Sequence, residues 1–393
     1  MIPIPKGYYF CSTAAGLKYT GRDDLAFIGS EVPAAAGGIF TRNRFQAAPV
    51  TVAKAVLAER ETVSGILVNA GQANACTGED GLADCRLSCD LLAEALGLEK
   101  QSLLPASTGV IGDRLPMDRF ARALEGLAAS RSSAGPLDVA KAMMTTDSFP
   151  KLAWRTLQMA GGEIRVLGMA KGSGMICPNM ATMLSFILID AALSPDCLRR
   201  LVSDAGRTTF NRITVDGDTS TNDCILALSN GCSGISPEEG RLPELQSALT
   251  DVCRELSTML IQDAEGGTKT IQIQVQEAED TAQAEEAART VAHSPLVKTA
   301  MYGQDPNWGR IVAALGRSGA CFDPERVSIA FGDRPVFLRG RPVQADLDLL
   351  LKPLLRSDSI SIRIALGAGE AEATVLTSDL SPEYVKINAD YRT

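Results

Sequence analysis

The chain has 393 residues, 45% hydrophobic and 22% charged, with a formal net charge of −9. That length suits two or three domains with a sizeable core, and there is no Lys/Arg run of the kind a nucleic-acid footprint needs. A lone histidine, His293, excludes a multi-histidine zinc site and leaves any Ser-His-Asp triad dependent on that one ring.

The first five residues have no basic stretch followed by an apolar one, so no signal peptide is expected. Gly81 to Leu96 sets Leu82, Cys85, Cys89, Leu92 and Leu96 at helical spacing, and Gly97 stops the helix. Ten cysteines are scattered without a Cys-x-x-Cys pair. Cys85 and Cys89 share a helix face and read as buried thiols, a usage suited to a reducing compartment. Met183 to Ile189 reads as a buried strand. Such runs fall far short of the ~20 residues of a membrane span, and a cytoplasmic protein is expected.

Pro243 to Ile261 reads as an amphipathic helix with Pro243 in its first turn. Ile271, Ile273 and Val275 alternate with Gln272, Gln274 and Gln276 as a half-exposed strand. Thr281 to Ala292 is a helix that ends before Ser294-Pro295. Val327 to Phe331 turns through Gly332-Asp333 into Val336 to Leu338, a hairpin. Ile360 to Leu366 turns through Gly367-Ala-Gly369 into Ala373 to Leu376, a second hairpin. Strands and helices mix without a steady βαβ rhythm, which gives an α/β class. The charged stretch after the Gln-rich strand divides a main α/β domain, 1–277, from a smaller C-terminal α+β domain, 278–393.

Catalysis must draw on carboxylates, Lys, Tyr, Cys, hydroxyls or a terminal amine. Ala170 to Leu184 is a Gly-rich, Pro-containing loop that runs through Ala181-Thr182 into the apolar strand. If the Ala181–Thr182 bond is cut, the α-amine of Thr182, with an ordinary pKa near ~7.7–8.0, serves as base for its own hydroxyl. The cut can be intramolecular, with Thr182 Oγ attacking the Ala181 carbonyl and water resolving the ester. On spacing alone, a plain connector or a phosphate-binding loop built on Lys171-Gly-Ser-Gly174 stands beside this reading. Ser107-Thr-Gly-Val-Ile-Gly112 is either a turn or a place where backbone N–H groups and Thr108 meet an oxyanion. Asn211 to Asp223, with Asp216, Asp218, Asn222 and Asp223, reads as a polar loop; it lacks the Glu that closes an EF-hand. Glu265 precedes Gly266-Gly267 where a helix meets a strand. At the C-terminus, Tyr391 and an apolar approach of Tyr384, Val385 and Ile387 suggest that the tail through Thr393 docks.

Together these segments resemble the ornithine acetyltransferase family, the bifunctional glutamate N-acetyltransferases of arginine biosynthesis. The blocks that carry the likeness span nearly the whole chain. They are Ser107-Thr-Gly-Val-Ile-Gly112, Met144-Thr-Thr-Asp147, Lys171-Gly-Ser-Gly-Met, Pro178-Asn-Met-Ala-Thr-Met-Leu184, Asn211 to Ser220, Glu265-Gly-Gly-Thr-Lys269, Ser294 to Ala300, Asn307-Trp-Gly-Arg-Ile311 and Tyr391-Arg-Thr393.

The resemblance implies a layered sandwich of N-terminal-nucleophile-like architecture. It implies self-cleavage between Ala181 and Thr182 into an α-chain, 1–181, and a β-chain, 182–393. Thr182 is then the nucleophile, and Thr108 and Gly109 form the oxyanion hole. Thr145, Lys171, Thr182, Glu265, Asn388 and Thr393 match substrate-contacting positions. The implied reaction is ping-pong: N2-acetylornithine acetylates Thr182, ornithine leaves, and glutamate takes the acetyl group. No cofactor or metal is implied; some members also accept acetyl-CoA as donor. The partners implied are these small molecules, the α-chain with the β-chain, and a homo-oligomer of such pairs.

Physical chemistry agrees with the likeness. An ester on Thr182 splits one amide exchange into two steps, and Lys171 suits an α-carboxylate. Glu265 suits an ammonium group. Transfer instead of hydrolysis requires that water be kept out, for which a docked tail with Asn388 and Thr393 is expected to serve. Members commonly carry Ala where this chain has Gly267; Cys177, before Pro178, reads as a bystander, and His293 as structural. The alternative is an N-terminal-nucleophile amidohydrolase or aminopeptidase that passes the acyl group to water.

Overall fold

The computed structural model describes residues 2–159, 161–177, 183–237 and 241–390, the Ser132 side chain excepted. In chain order the strands are β1 (Tyr8–Thr13), β2 (Leu25–Phe40), β3 (Thr62–Gln72), β4 (Leu103–Val110), β5 (Lys151–Met159), β6 (Gly162–Lys171), β7 (Leu184–Ile189), β8 (Ile213–Thr214), β9 (Cys224–Ser229), β10 (Thr270–Ala278), β11 (Ser328–Phe331), β12 (Arg334–Leu338), β13 (Arg341–Pro342), β14 (Ser359–Ala365) and β15 (Ala371–Ser378). The helices are α1 (Ala48–Glu59), α2 (Gly78–Leu96), α3 (Met117–Ala129), α4 (Pro136–Ala142), α5 (Pro195–Thr208), α6 (Leu242–Gln262), α7 (Thr281–Ala292), α8 (Pro295–Tyr302), α9 (Trp308–Leu315), α10 (Leu347–Leu355) and α11 (Pro382–Asp390).

The chain divides into two compact units, Met1–Asn211 with Asp218–Leu260, and Arg212–Gly217 with Ile261–Tyr391. The first unit holds a sheet in the order β4-β3-β2-β9-β7-β6-β5, with β1 on β2. Both faces of this sheet are covered, so its strands read as near-continuous apolar runs. Successive residues alternate between two cores: Ile66, Val68 and Leu104 join Phe186 and Leu226 on one side. Leu67 and Leu103 join Phe27, Leu92 of α2 and Phe120 of α3 on the other. β2 serves two sets of partners. Its first part pairs with β1 and β3, its last part with β9, and its register with β3 shifts between Gly29 and Ala34. The expected helices over 81–96 and 243–261 are α2 and α6, and Gly97 ends α2 in the left-handed conformation at φ 68°. All ten cysteines are free thiols, and burial pushes Cys89 up to about 12.

The second unit holds a sheet in the order β13-β12-β11-β14-β10-β15-β8. The sequence-based division at 277/278 differs from these two units, the second of which takes Arg212–Gly217 and the long run that begins at Ile261. The reason is that β10 is an interior strand of this sheet, parallel to β14 and antiparallel to β15. It belongs with the strands it pairs to, whatever the composition of the residues that follow it. The same strand overturns the second expected hairpin. β14 and β15 are joined by the Gly367–Gly369 turn, yet β10 lies between them. The turn crosses the end of β10, where Ala368 and Gly369 N–H both donate to the Glu277 carbonyl, at 2.8 and 3.0 Å. The hairpin of β11 with β12 is present. α7 covers β10 with small residues, Ala284, Ala287 and Ala288, under an Asp280 cap whose side chain accepts from Gln283 N–H.

Candidate active site

In the first unit, Lys171 closes β6 as the antiparallel partner of Leu184, the first residue of β7. It is 9% exposed. Its Nζ donates to Thr145 Oγ1 at 2.8 Å and to Thr108 Oγ1 at 3.3 Å. Three residues named from sequence, far apart along the chain, are therefore within reach of one ammonium group.

That ammonium is held by Asp147, whose fully buried carboxylate lies 3.8 Å from it and pairs with buried Lys151 at 2.8 Å. Asp147 also accepts from the N–H groups of Gly172, at 2.6 Å, and Thr145, at 3.0 Å. Burial alone would raise the Asp147 carboxyl. The Lys171 charge, then that of Lys151, outweighs burial, and together with the hydrogen bonds holds it down at about 2. A carboxylate so fixed keeps the Lys171 side chain aimed. Arg22 donates to the Met144 carbonyl with its guanidinium 4.1 Å from the Tyr19 ring centre, which fixes the residue before Thr145.

Thr108 and Gly109 stand near the end of β4, in parallel register with Ala70 and Gly71 of β3. Gly109 has φ 132°, and a Cβ there would lie 2.2 Å from the Gly71 carbonyl carbon. Only glycine fits, and the N–H groups here are set by backbone packing. Ser107 Oγ donates to Asn69 Oδ1 at 2.6 Å, and Asn222 Nδ2 donates to the Ser107 carbonyl at 2.9 Å. The residue before Thr108 is thus pinned from both sides.

Asn222 belongs to the polar loop that leads into β9. Its neighbour Asp223 is buried, and Asp223 Oδ2 has no hydrogen-bond partner among the described residues. Burial pushes the Asp223 carboxyl well above the usual range, against hydrogen bonds from Ser220 and the Lys171 charge. Cys177 is buried, and its carbonyl accepts from Thr219 Oγ1 at 2.9 Å, a bond within the loop framework. Among the described residues, no group of three or more His, Cys, Asp or Glu is placed to hold a metal ion. Nor is any described helix long and apolar enough to cross a membrane.

In the second unit, Glu265 follows α6 and its Oε2 accepts from Asn388 Nδ2 of α11 at 2.9 Å. Gly266 has φ 66°, and a Cβ there would sit 2.3 Å from the Tyr384 nitrogen, so this turn and the start of α11 are in close backbone approach. Ser381 Oγ donates to the Gly266 carbonyl at 2.5 Å, and Asp379 accepts from Thr268 and Lys269 N–H at 2.7 and 3.0 Å. At Gly267 a Cβ would come within 3.1 Å of Ala264, a tight contact for any side chain. The apolar docking expected of the tail is not what holds α11. None of its residues is buried and Val385 is 63% exposed; polar bonds, including Tyr384 Oη to Asp216 Oδ2 at 3.2 Å, do the holding. His293 caps α7, and burial, with Arg289, Lys298 and Arg317, lowers its pKa to about 4. Ala181, Thr182 and Thr393 lie outside the described residues.

Sequence reading gave no site role to Asp147, Lys151, Asn222 or Asp223. Asp147 stood inside a quoted block without a role, and Asn222 and Asp223 were read as a polar loop. The available signal was position, two polar residues directly before the all-apolar Cys224-Ile-Leu-Ala-Leu run.

A buried, counter-charged lysine, two hydroxyls and a glycine-fixed backbone suit an acyl-transfer enzyme whose substrate carries a carboxylate. Comparison with known proteins points the same way. The ArgJ family model matches residues 9–393. An arginine biosynthesis bifunctional protein ArgJ of Nitratidesulfovibrio vulgaris is 52% identical over 392 residues, covering 100% of both chains. One from Geobacter sulfurreducens is 44% identical over 395 residues, covering 99% of each. A crystal structure of such a protein from Bacillus halodurans is 36% identical with a TM-score of 0.51, covering 53% of this chain and 100% of that one. The chain belongs to the ArgJ family, enzymes of arginine biosynthesis.

Proposed function

We propose that this chain is a self-cleaving acetyltransferase that moves the acetyl group of N2-acetylornithine to glutamate through an ester on Thr182. Family membership supports the reading. The observation that carries it is the Lys171 ammonium, fixed by buried Asp147 against Thr108 and Thr145 at the strand end paired with the start of β7.

In this reading Thr182 Oγ attacks the Ala181 carbonyl, the peptide becomes an ester, and water releases the α-chain from the β-chain. The freed α-amine then takes the Thr182 hydroxyl proton as Oγ attacks the acetyl carbonyl. Thr108 and Gly109 meet the oxyanion. The amine returns the proton to the departing ornithine nitrogen, and glutamate attacks the waiting ester. Lys171 and Thr145 take an amino-acid carboxylate, and by likeness to the family Glu265, Asn388 and Thr393 are further substrate contacts. The proposal includes a cytoplasmic enzyme of αβ pairs assembled as a homo-oligomer. It needs no cofactor; acetyl-CoA as a second donor is a separate assay.

Incubating the purified protein with N2-acetylornithine, with and without glutamate, tests the reaction. Ornithine and N-acetylglutamate should form in equal amounts when both substrates are present. Release of free acetate at a rate independent of glutamate would make it a hydrolase and overturn the proposal.

A further inference from the structure

We propose that Asp223 is the acid that protonates the nitrogen leaving Ala181 when the chain cuts itself, an assignment that rests on the self-cleavage read above. The first ground is the unpartnered oxygen. Asp223 is buried, and among the described residues its Oδ2 has no hydrogen-bond partner while Ser220 bonds to the carboxyl. A buried polar atom left bare costs about 1–3 kcal/mol, so it is retained for a reason. In the neutral acid the proton sits on Oδ2, because the oxygen facing Ser220 already accepts. Oδ2 is then a donor without an acceptor among the described residues.

The second ground is position. β7 and β9 are parallel with Leu184 opposite Cys224, and Cys224 N–H donates to the Met183 carbonyl at 3.1 Å. Asp223 is therefore level with Met183, and Met183 is bonded to Thr182. The charged group facing Asp223 from another element is Lys171 at the end of β6, itself tied to Asp147. On its own strand the Cys224 thiol is pushed up by burial first and by Asp223 second, so it stays protonated. Burial outweighs Lys171, so the Asp223 carboxyl holds its proton well above the usual carboxylate range.

The step balances. Thr182 Oγ forms a bond to the Ala181 carbonyl carbon, and the carbon–nitrogen bond breaks. The Asp223 Oδ2 proton goes to the leaving nitrogen, and the proton released by Oγ restores the acid. Water then hydrolyses the ester to the Ala181 carboxylate and the Thr182 hydroxyl.

The test follows cleavage of cell-free synthesised full-length chain on denaturing gels and by mass spectrometry, chased from pH 5.5 to 9. The wild-type rate should fall as pH rises past the Asp223 pKa, because the acid must hold its proton. Asp223→Asn should cut at least ~100-fold more slowly and without that slope, whereas Asp223→Glu should recover the slope. A wild-type chain that is cut, beside a folded Asp223→Asn that is cut within about threefold of it, overturns the inference alone. A wild-type rate that only climbs with pH overturns it as well, with no variant needed should Asp223→Asn not fold. A wild-type chain that is never cut overturns the self-cleavage read first.

Discussion

Replacing Gly109 with alanine probes how closely backbone packing sets the oxyanion-binding backbone. The new Cβ would lie 2.2 Å from the Gly71 carbonyl carbon, 2.3 Å from its oxygen and 2.7 Å from Gln72 nitrogen. Carbon atoms rest at about 3.5–4.0 Å, so the end of β4 must retreat from β3 by roughly 1.3–1.8 Å. The φ of 132° adds roughly 1–3 kcal/mol of strain for a residue with a side chain. A donor that should stand about 2.7–3.1 Å from the oxyanion would then fall outside hydrogen-bonding distance. Loss of one such donor lowers kcat by about 100- to 1,000-fold. The KM for glutamate should change little, because Lys171 and Thr145 keep their places. The assay is steady-state acetyl transfer from N2-acetylornithine to glutamate, with thermal unfolding alongside to confirm that Gly109→Ala is folded at the assay temperature. A folded variant with kcat within threefold of wild type would refute the reasoning.

Lys171→Met removes the ammonium group placed on the substrate carboxylate and should raise KM for glutamate about 10- to 100-fold, from the roughly 1.5–3 kcal/mol of a charge-assisted bond; an unchanged KM would remove Lys171 from that role. Asp147→Asn leaves Lys151 buried without its counter-charge and should cost about 3–5 kcal/mol by chemical denaturation. The folded Asp147 pKa of about 2 lies below the ordinary ~3.9, so its contribution is complete above pH 4 and is lost as pH falls toward 2; the wild-type and Asp147→Asn unfolding curves should converge over that window. His293, with a folded pKa of about 4 against an ordinary value near ~6.5, is protonated first in the unfolded chain. Stability should therefore fall as pH drops from about 6.5 to 4, and His293→Gln should flatten that part of the melting-temperature profile. Deleting Asn388 to Thr393 should raise acetylornithine hydrolysis relative to transfer, measured as acetate against N-acetylglutamate; an unchanged ratio would speak against a tail that excludes water.

Periodicity was a sound guide to single elements. Alternation along Ile271 to Gln276 marks β10, and helical spacing marks α2, α6 and α7, because each records which side of one element is buried. It says nothing about which strand lies alongside. β14 and β15 carry ideal hairpin chemistry, yet β10 sits between them, since the turn is long enough to cross a strand end. The division at 277/278 departs from the two compact units for the same reason: a charged stretch after β10 is local, whereas membership of a sheet is not.

The candidate site was legible only through resemblance. Lys171, Thr145 and Thr108 are separated by tens of residues, and spacing alone left each with a bland alternative. Asp147, Lys151 and Asp223 were missed because nothing in a sequence marks a charged residue as buried. Their roles come from desolvation and from neighbours supplied by other strands. Towards the C-terminus the apolar residues suggested docking, and the described part, α11, is held through polar bonds of Asn388, Tyr384 and Ser381, which periodicity does not mark.

Intact mass measurement of catalytically active protein bears most directly on the account. Two polypeptides are expected, the shorter-numbered one ending at Ala181 and the other beginning with a free Thr182 amine. Full acetyl-transfer activity from a single continuous 41.5 kDa chain would contradict it.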